Sequence, residues 1–181
     1  MVRVPRITER SQVADEHGEI FDSITSSRGR VSGPFSVLLN SPETAGRAAH
    51  LGAYLRFNST IPDDQRELAI ITAAREFDCD YEWSAHKGLA QQAGVRDEAI
   101  EIVANKGTVD SLTSDEATII SYGRELFQDH RVSDSTFDAA KEMLGEQGVT
   151  ELTATMGYYG MLACALNAFQ VEPAPDAPRL P

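Results

Sequence analysis

Reactive side chains are concentrated in one stretch of the sequence, Arg66-Glu67-Leu-Ala-Ile-Ile-Thr-Ala-Ala-Arg75-Glu76-Phe-Asp78-Cys79-Asp80-Tyr81-Glu82-Trp83-Ser-Ala-His86. On a helix turning roughly 100° per residue, Cys79, Glu82 and His86 stand at about 0°, 300° and 340°, so a thiol, a carboxylate and an imidazole share one narrow face. Glu82 and His86 are four residues apart and can meet directly. A carboxylate beside an imidazole favours the protonated ring, which suits the ring to donating a proton. Glu67 falls on the preceding helix and joins the group if the chain returns antiparallel. The same spacing also describes a solvated surface pair with an inert cysteine at a helix start, so burial decides between the two.

The other candidates are scattered. His50 sits on the apolar stretch Ala48-Ala-His-Leu-Gly-Ala-Tyr54, where it either packs or lines a pocket, and Tyr158, Tyr159 and Asn167 lie on an uncharged stretch that could face a cavity. His17 and His130 are flanked by acids and read as surface positions. No histidine stands three or four residues from His86, so a metal site is not expected. An anionic substrate entering this acidic neighbourhood needs a cationic anchor. Arg75, Arg66 and Arg56 are the candidates, each readable equally as a surface arginine paired with a nearby acid.

These residues need helices to hold them, and the periodicity is helical throughout, with no clean two-fold alternation. The chain reads as all-α, a single-domain helical bundle. Helices are predicted over about 11–25, 42–56, 63–77, 81–93, 97–104, 114–129 and 134–144, with a last one from near 149 to before Pro173. Ser41-Pro42-Glu43 and Pro62-Asp63-Asp64 carry helix-start chemistry, and Thr113 with Glu116 forms a capping box. The organisation expected is an N-terminal helix and linker over 1–34, a helical domain over 35–171, and a proline-rich arm over 172–181.

Composition narrows the function classes. A chain of 181 residues suits one domain, and Lys+Arg 16 against Asp+Glu 28 gives a net charge of −12, which repels nucleic-acid phosphates and anionic lipid headgroups. Cys79 and Cys164 are too few and too far apart for a disulfide framework, no signal peptide is evident, and a cytoplasmic setting is expected. Residues 152–169 are uncharged but hold tyrosines, threonines and glycines, so a buried or interface helix is expected there, not a membrane span.

The sequence resembles the carboxymuconolactone decarboxylase family, within the superfamily that also holds the alkylhydroperoxidase D-type proteins. The carriers are Leu51-Gly-Ala-Tyr-Leu-Arg56, Arg66-Glu67-Leu-Ala-Ile, the Cys79-x-Tyr81-Glu82-Trp83-x-x-His86 core, Ala93-Gly94, and Met161-Leu-Ala with Leu166-Asn167. The resemblance implies an all-helical fold of the alkylhydroperoxidase D-like type, assembly into homo-trimers or hexamers, and no bound cofactor. Hydroperoxidase members carry a CxxC pair, a histidine four positions beyond it and a glutamate twelve before it. Cys79, His86 and Glu67 match those places, but Glu82 stands where the second cysteine belongs. Decarboxylase members place a glutamate four before the histidine, as Glu82 and His86 do.

Physical chemistry bears on the choice. Glu76, Asp78, Asp80 and Glu82 surround Cys79 in sequence and oppose a thiolate, whereas proton transfer needs no second thiol. The leading expectation is therefore a cofactor-independent decarboxylase-type lyase or isomerase acting on a small carboxylated or lactone metabolite. His86 would be the general acid/base, Glu82 its orienting carboxylate and Glu67 a second carboxylate. Arg75, Arg66, His50 and Tyr158 are expected to bind substrate. The alternatives are a thiol-dependent peroxidase using Cys79 and a non-catalytic oligomeric module.

Overall fold

Acids and prolines start the helices, and one helix hydrophobic on all sides becomes their centre. The computed structural model describes residues 2–181, leaving Met1 of the N-terminal stretch outside it. Two short 3-10 turns (Arg10–Gln12 and Asp15–His17) lead into α1 (Gly18–Arg28), α2 (Gly33–Leu38), α3 (Pro42–Phe57), α4 (Asp63–Glu76), α5 (Asp80–Ala93), α6 (Asp97–Ala104), α7 (Ser114–Arg124) and α8 (Asp134–Phe169). The described residues are all-helical, as expected. No helix among them is long and apolar enough to cross a membrane.

In α4, every residue from Glu67 to Ala74 is buried. A helix buried on all faces belongs in the interior, and α4 packs against α5, α7 and α8. Ile70 and Ala73 face one core, shared with α1, α2, α3 and the tyrosines of α8, while Leu68 and Ile71 face another beneath α5, α6 and α7. Truncating either isoleucine to alanine should cost about 2–5 kcal/mol. The link of residues 77–79 reverses the chain, with Asp78 in the left-handed region at φ 47°, so α5 folds back along α4.

Three features depart from the expected elements. The first predicted helix is broken into the 3-10 turns and α1, and the short α2, absent from the predicted helices, is nearly fully buried. The predicted 114–129 helix ends at Arg124 and continues as one π-helical turn, Glu125–Asp129. The break foreseen after Leu144 is present inside α8, where Gly145 takes φ 70° and ψ −179°. The terminal segments are tied to this framework. Arg3 N–H donates to the Phe169 carbonyl at 3.0 Å, and Asp80 accepts from Arg179 at 3.0 Å and from the Leu180 backbone at 2.9 Å.

Candidate functional site

The α4–α5 hairpin brings Glu67 opposite His86. His86 Nδ1 lies 2.7 Å from Glu67 Oε2, and His86 Nε2 lies 3.6 Å from Glu82 Oε2, so the imidazole stands between two carboxylates. All three residues are buried, with 5% of Glu67, 3% of Glu82 and 4% of His86 exposed. The closer carboxylate is thus the one contributed by the neighbouring helix, not Glu82 one turn away. At 2.7 Å the Nδ1 contact is a hydrogen bond in which the ring N–H donates to Glu67; at 3.6 Å the Glu82 contact is a Coulombic one. Burial pushes the Glu82 carboxyl above its usual range, with His86 and Arg56 opposing and Glu67 reinforcing the rise.

His86 and Glu82 line a cavity of about 350 Å³. Its far wall comes from α8, where Tyr159 meets the His86 ring edge-on at 5.1 Å and Tyr158 meets Tyr159 at 5.4 Å. Burial pushes the Tyr158 hydroxyl up to about 12, with Arg28 opposing, and burial likewise raises that of Tyr159. Gly52 of α3 lies so close to Tyr158 that a β-carbon there would run into its hydroxyl. Gly33, in the left-handed region at φ +53°, has only 2.7 Å between an added β-carbon and the Tyr81 ring, which also lines the space.

The remaining candidates are distributed as follows. Cys79 caps α5 but is fully buried among Val37, Ala163, Leu166 and Val171, and the cavity does not reach it. Burial pushes its thiol up to about 11. Cys164 is exposed, and both cysteines are free. Arg75 turns away from the cavity, paired with Asp78 and donating to the Ala104 carbonyl at 2.7 Å. Arg66 pairs with Asp63 at 2.9 Å and, with Glu67 and Arg56, borders a second cavity that His86 does not line. His50 is exposed beside α1, in a groove that does not include the Glu82–His86 pair. Of the predicted binding residues, only Tyr158 lines the cavity with His86; Arg56, weighed as an anchor, lines it too.

Arg28 and Arg30 also line the cavity and were not foreseen, because they lie in a polar run that reads as a linker. Arg28 is fixed by donation to the Ala49 carbonyl at 3.1 Å and by stacking 4.3 Å over the Phe35 ring. Among the described residues no group of three or more His, Cys, Asp or Glu side chains is arranged to hold a metal ion.

Comparison with known proteins accords with this architecture. No curated protein sequence matches the chain. Among solved structures, it is similar to the alkylhydroperoxidase AhpD core of an uncharacterized peroxidase-related protein from Ralstonia eutropha JMP134, with 16% identity, a TM-score of 0.76, and coverage of 97% of this chain and 93% of that one. It is also similar to the debrominase Bmp8 in its apo form, with 16% identity, a TM-score of 0.74, and coverage of 95% and 93%. A cysteine-to-alanine variant of that debrominase in complex with 2,3,4-tribromopyrrole gives 15% identity, a TM-score of 0.73, and coverage of 94% and 91%. At such identities the likeness is one of fold. Residues 42–122, which hold Glu67, Cys79, Glu82 and His86, match the model of the carboxymuconolactone decarboxylase family, so over this segment the chain is similar to that family.

Proposed function

We propose that the protein is a cofactor-independent enzyme that moves protons on a small carboxylated or lactone metabolite, as a decarboxylase-type lyase or a related isomerase. The observation that carries this reading is a buried imidazole, hydrogen-bonded to Glu67 through one nitrogen, whose ring and second carboxylate neighbour Glu82 both line a small-molecule-sized cavity. Glu67 holds the ring by accepting from Nδ1, which leaves Nε2 to act on substrate. In the lyase reaction the bond to the departing carboxylate breaks, and its electron pair stays on the substrate as an enolate. The Nε2 proton then passes to carbon, carbon dioxide leaves, and His86 recovers its proton from solvent. The raised Glu82 carboxyl is suited to carrying a proton beside the same site.

Peroxidase chemistry through Cys79 draws less support, since its thiol is buried outside the cavity and is held in the protonated form. The test is a screen of carboxylated lactones for carbon dioxide release, run beside a hydroperoxide assay with an external dithiol. Carbon dioxide release that survives Cys79→Ala supports the reading, whereas hydroperoxide turnover lost in Cys79→Ala replaces it with the thiol mechanism. We further propose a cytoplasmic homo-oligomer of trimer or hexamer type. Leu51, Tyr54 and Phe57 leave an apolar strip of α3 exposed, as a subunit contact requires, and sedimentation velocity tests it.

A further inference from the structure

In a chain of net charge −12, the catalytic cavity has the opposite sign. Arg28, Arg30 and Arg56 all line it, and Glu82 is the one acidic side chain in its wall. Elsewhere most arginines are matched to acids: Arg10, Arg47, Arg66, Arg75, Arg96, Arg124 and Arg179 each have a carboxylate within 4.0 Å. The cavity arginines have none among the described residues, although acids outnumber bases 28 to 16. A partly buried guanidinium with no carboxylate beside it, as in Arg28 and Arg56, loses water without gaining a countercharge, a cost that a bound anion offsets.

A second observation is independent of charge. Tyr158 lines the same cavity, its residue is only 6% exposed, and its buried hydroxyl, with Arg28 beside it, has no acceptor for its proton. Buried hydroxyls in native proteins are nearly always satisfied, so an undonated hydroxyl proton on a cavity-lining residue is available to something that enters the cavity. Arg28 is meanwhile held in place by the Ala49 carbonyl and the Phe35 ring, so little side-chain freedom is lost when it binds.

We infer that Arg28, Arg30, Arg56 and Tyr158 form a carboxylate-binding wall that selects small organic acids, with Tyr158 donating its hydroxyl proton to a carboxylate oxygen and the arginines supplying the countercharge. Arg28 and Arg30 lie outside the family-matched residues 42–122, so this chain's N-terminal segment contributes to its specificity beside Arg56 and Tyr158. The inference rests on the cavity being the substrate site proposed above, and it gives the departing or neighbouring carboxylate a defined seat opposite His86. A flat bidentate guanidinium suits a carboxylate, and a phenol adds a directional donor.

The experiment is calorimetric titration of the full chain at low salt with benzoate and glutarate, with their neutral amides, and with inorganic phosphate. Wild type binds a carboxylate, and the matched amide binds roughly tenfold more weakly or worse. Arg56→Gln and Arg28→Gln each weaken the carboxylate roughly tenfold, and Tyr158→Phe weakens it several-fold. Arg30, being exposed, contributes a smaller, salt-sensitive part. Arg47→Gln, a surface arginine paired with Glu43, changes nothing, and circular dichroism verifies that each variant is folded. The inference is overturned if carboxylates and amides bind alike, if no carboxylate binds wild type more tightly than Arg56→Gln, or if phosphate binds as tightly as benzoate. His86→Ala separates the two proposals: it leaves carboxylate binding intact even if the lyase reading fails, whereas turnover of a carboxylated substrate unaffected by Arg28→Gln and Arg56→Gln retains the lyase reading and discards this one.

Discussion

His86 Nδ1 and Glu67 Oε2 are 2.7 Å apart across two helices, although nineteen residues separate them in sequence. This contact fixes which ring nitrogen carries a hydrogen toward the protein and which one faces the cavity. It also explains a carboxylate at the head of the buried stretch of α4, where an unpartnered charge would cost several kcal/mol. Glu67→Gln keeps the shape but can present its amide nitrogen to the ring, reversing the preferred tautomer. Turnover should fall on the order of 10²-fold with the midpoint of thermal unfolding little changed, as read by steady-state rates beside calorimetry.

Reading that pair from sequence required the reversal between α4 and α5, which the acidic break at residues 78–80 signals. The starts of α3 and α4, the capping box of α7 and the limits of α6 were legible for the same reason: caps and first-turn acids act locally. The site was legible only in part. Arg66 and Arg75 have the charge an anchor needs, but Asp63 and Asp78 lie within one turn and take them, and no pattern in the apolar face of α4 reveals which side they leave on. Arg28 and Arg30 sit in a Ser-rich run whose low hydrophobicity suggests a linker, and their importance comes wholly from the return of α2 against α8, a tertiary event. By helical spacing Cys79 shares a face with Glu82 and His86, but the fold encloses it in apolar contacts.

Thiol reactivity separates the two cysteines. Burial pushes the Cys79 thiol up to about 11, whereas Cys164 is exposed, so iodoacetamide at neutral pH should label Cys164 first and Cys79 only on unfolding. Peptide mass mapping against time measures this. Early labelling of Cys79 would restore a thiol mechanism.

The cavity depends on a missing side chain. Gly52→Ala inserts a methyl group where the Tyr158 hydroxyl packs, forcing that ring to move at a cost of about 1–3 kcal/mol. Urea unfolding should register the loss, and carboxylate binding should weaken with it. Gly157→Ala on α8, where an added β-carbon meets open space, is the control and should be neutral or slightly stabilising.

Part of the acid stability should trace to a carboxylate that does not line the cavity. Burial raises the affinity of Glu151 for a proton, but hydrogen bonds from Tyr54 at 2.5 Å, Gln147 at 2.9 Å, and the Thr60 amide and hydroxyl at 2.7 and 2.8 Å outweigh it and hold the carboxyl at about 2. A folded-state value below the unfolded one gives stability that is fully present above about pH 4.5 and is lost as pH falls toward 2. Urea midpoints collected at pH 6, 4 and 3 should therefore decline less steeply in Glu151→Gln than in wild type.

The most direct measurement of the central claim is the turnover of His86→Ala on a substrate that wild type decarboxylates, taken together with circular dichroism of the same sample. A proton carried by this imidazole predicts a rate lower by roughly 10²–10⁴-fold in a protein that is still folded and still binds the carboxylate. A folded variant that turns over at the wild-type rate would contradict the account.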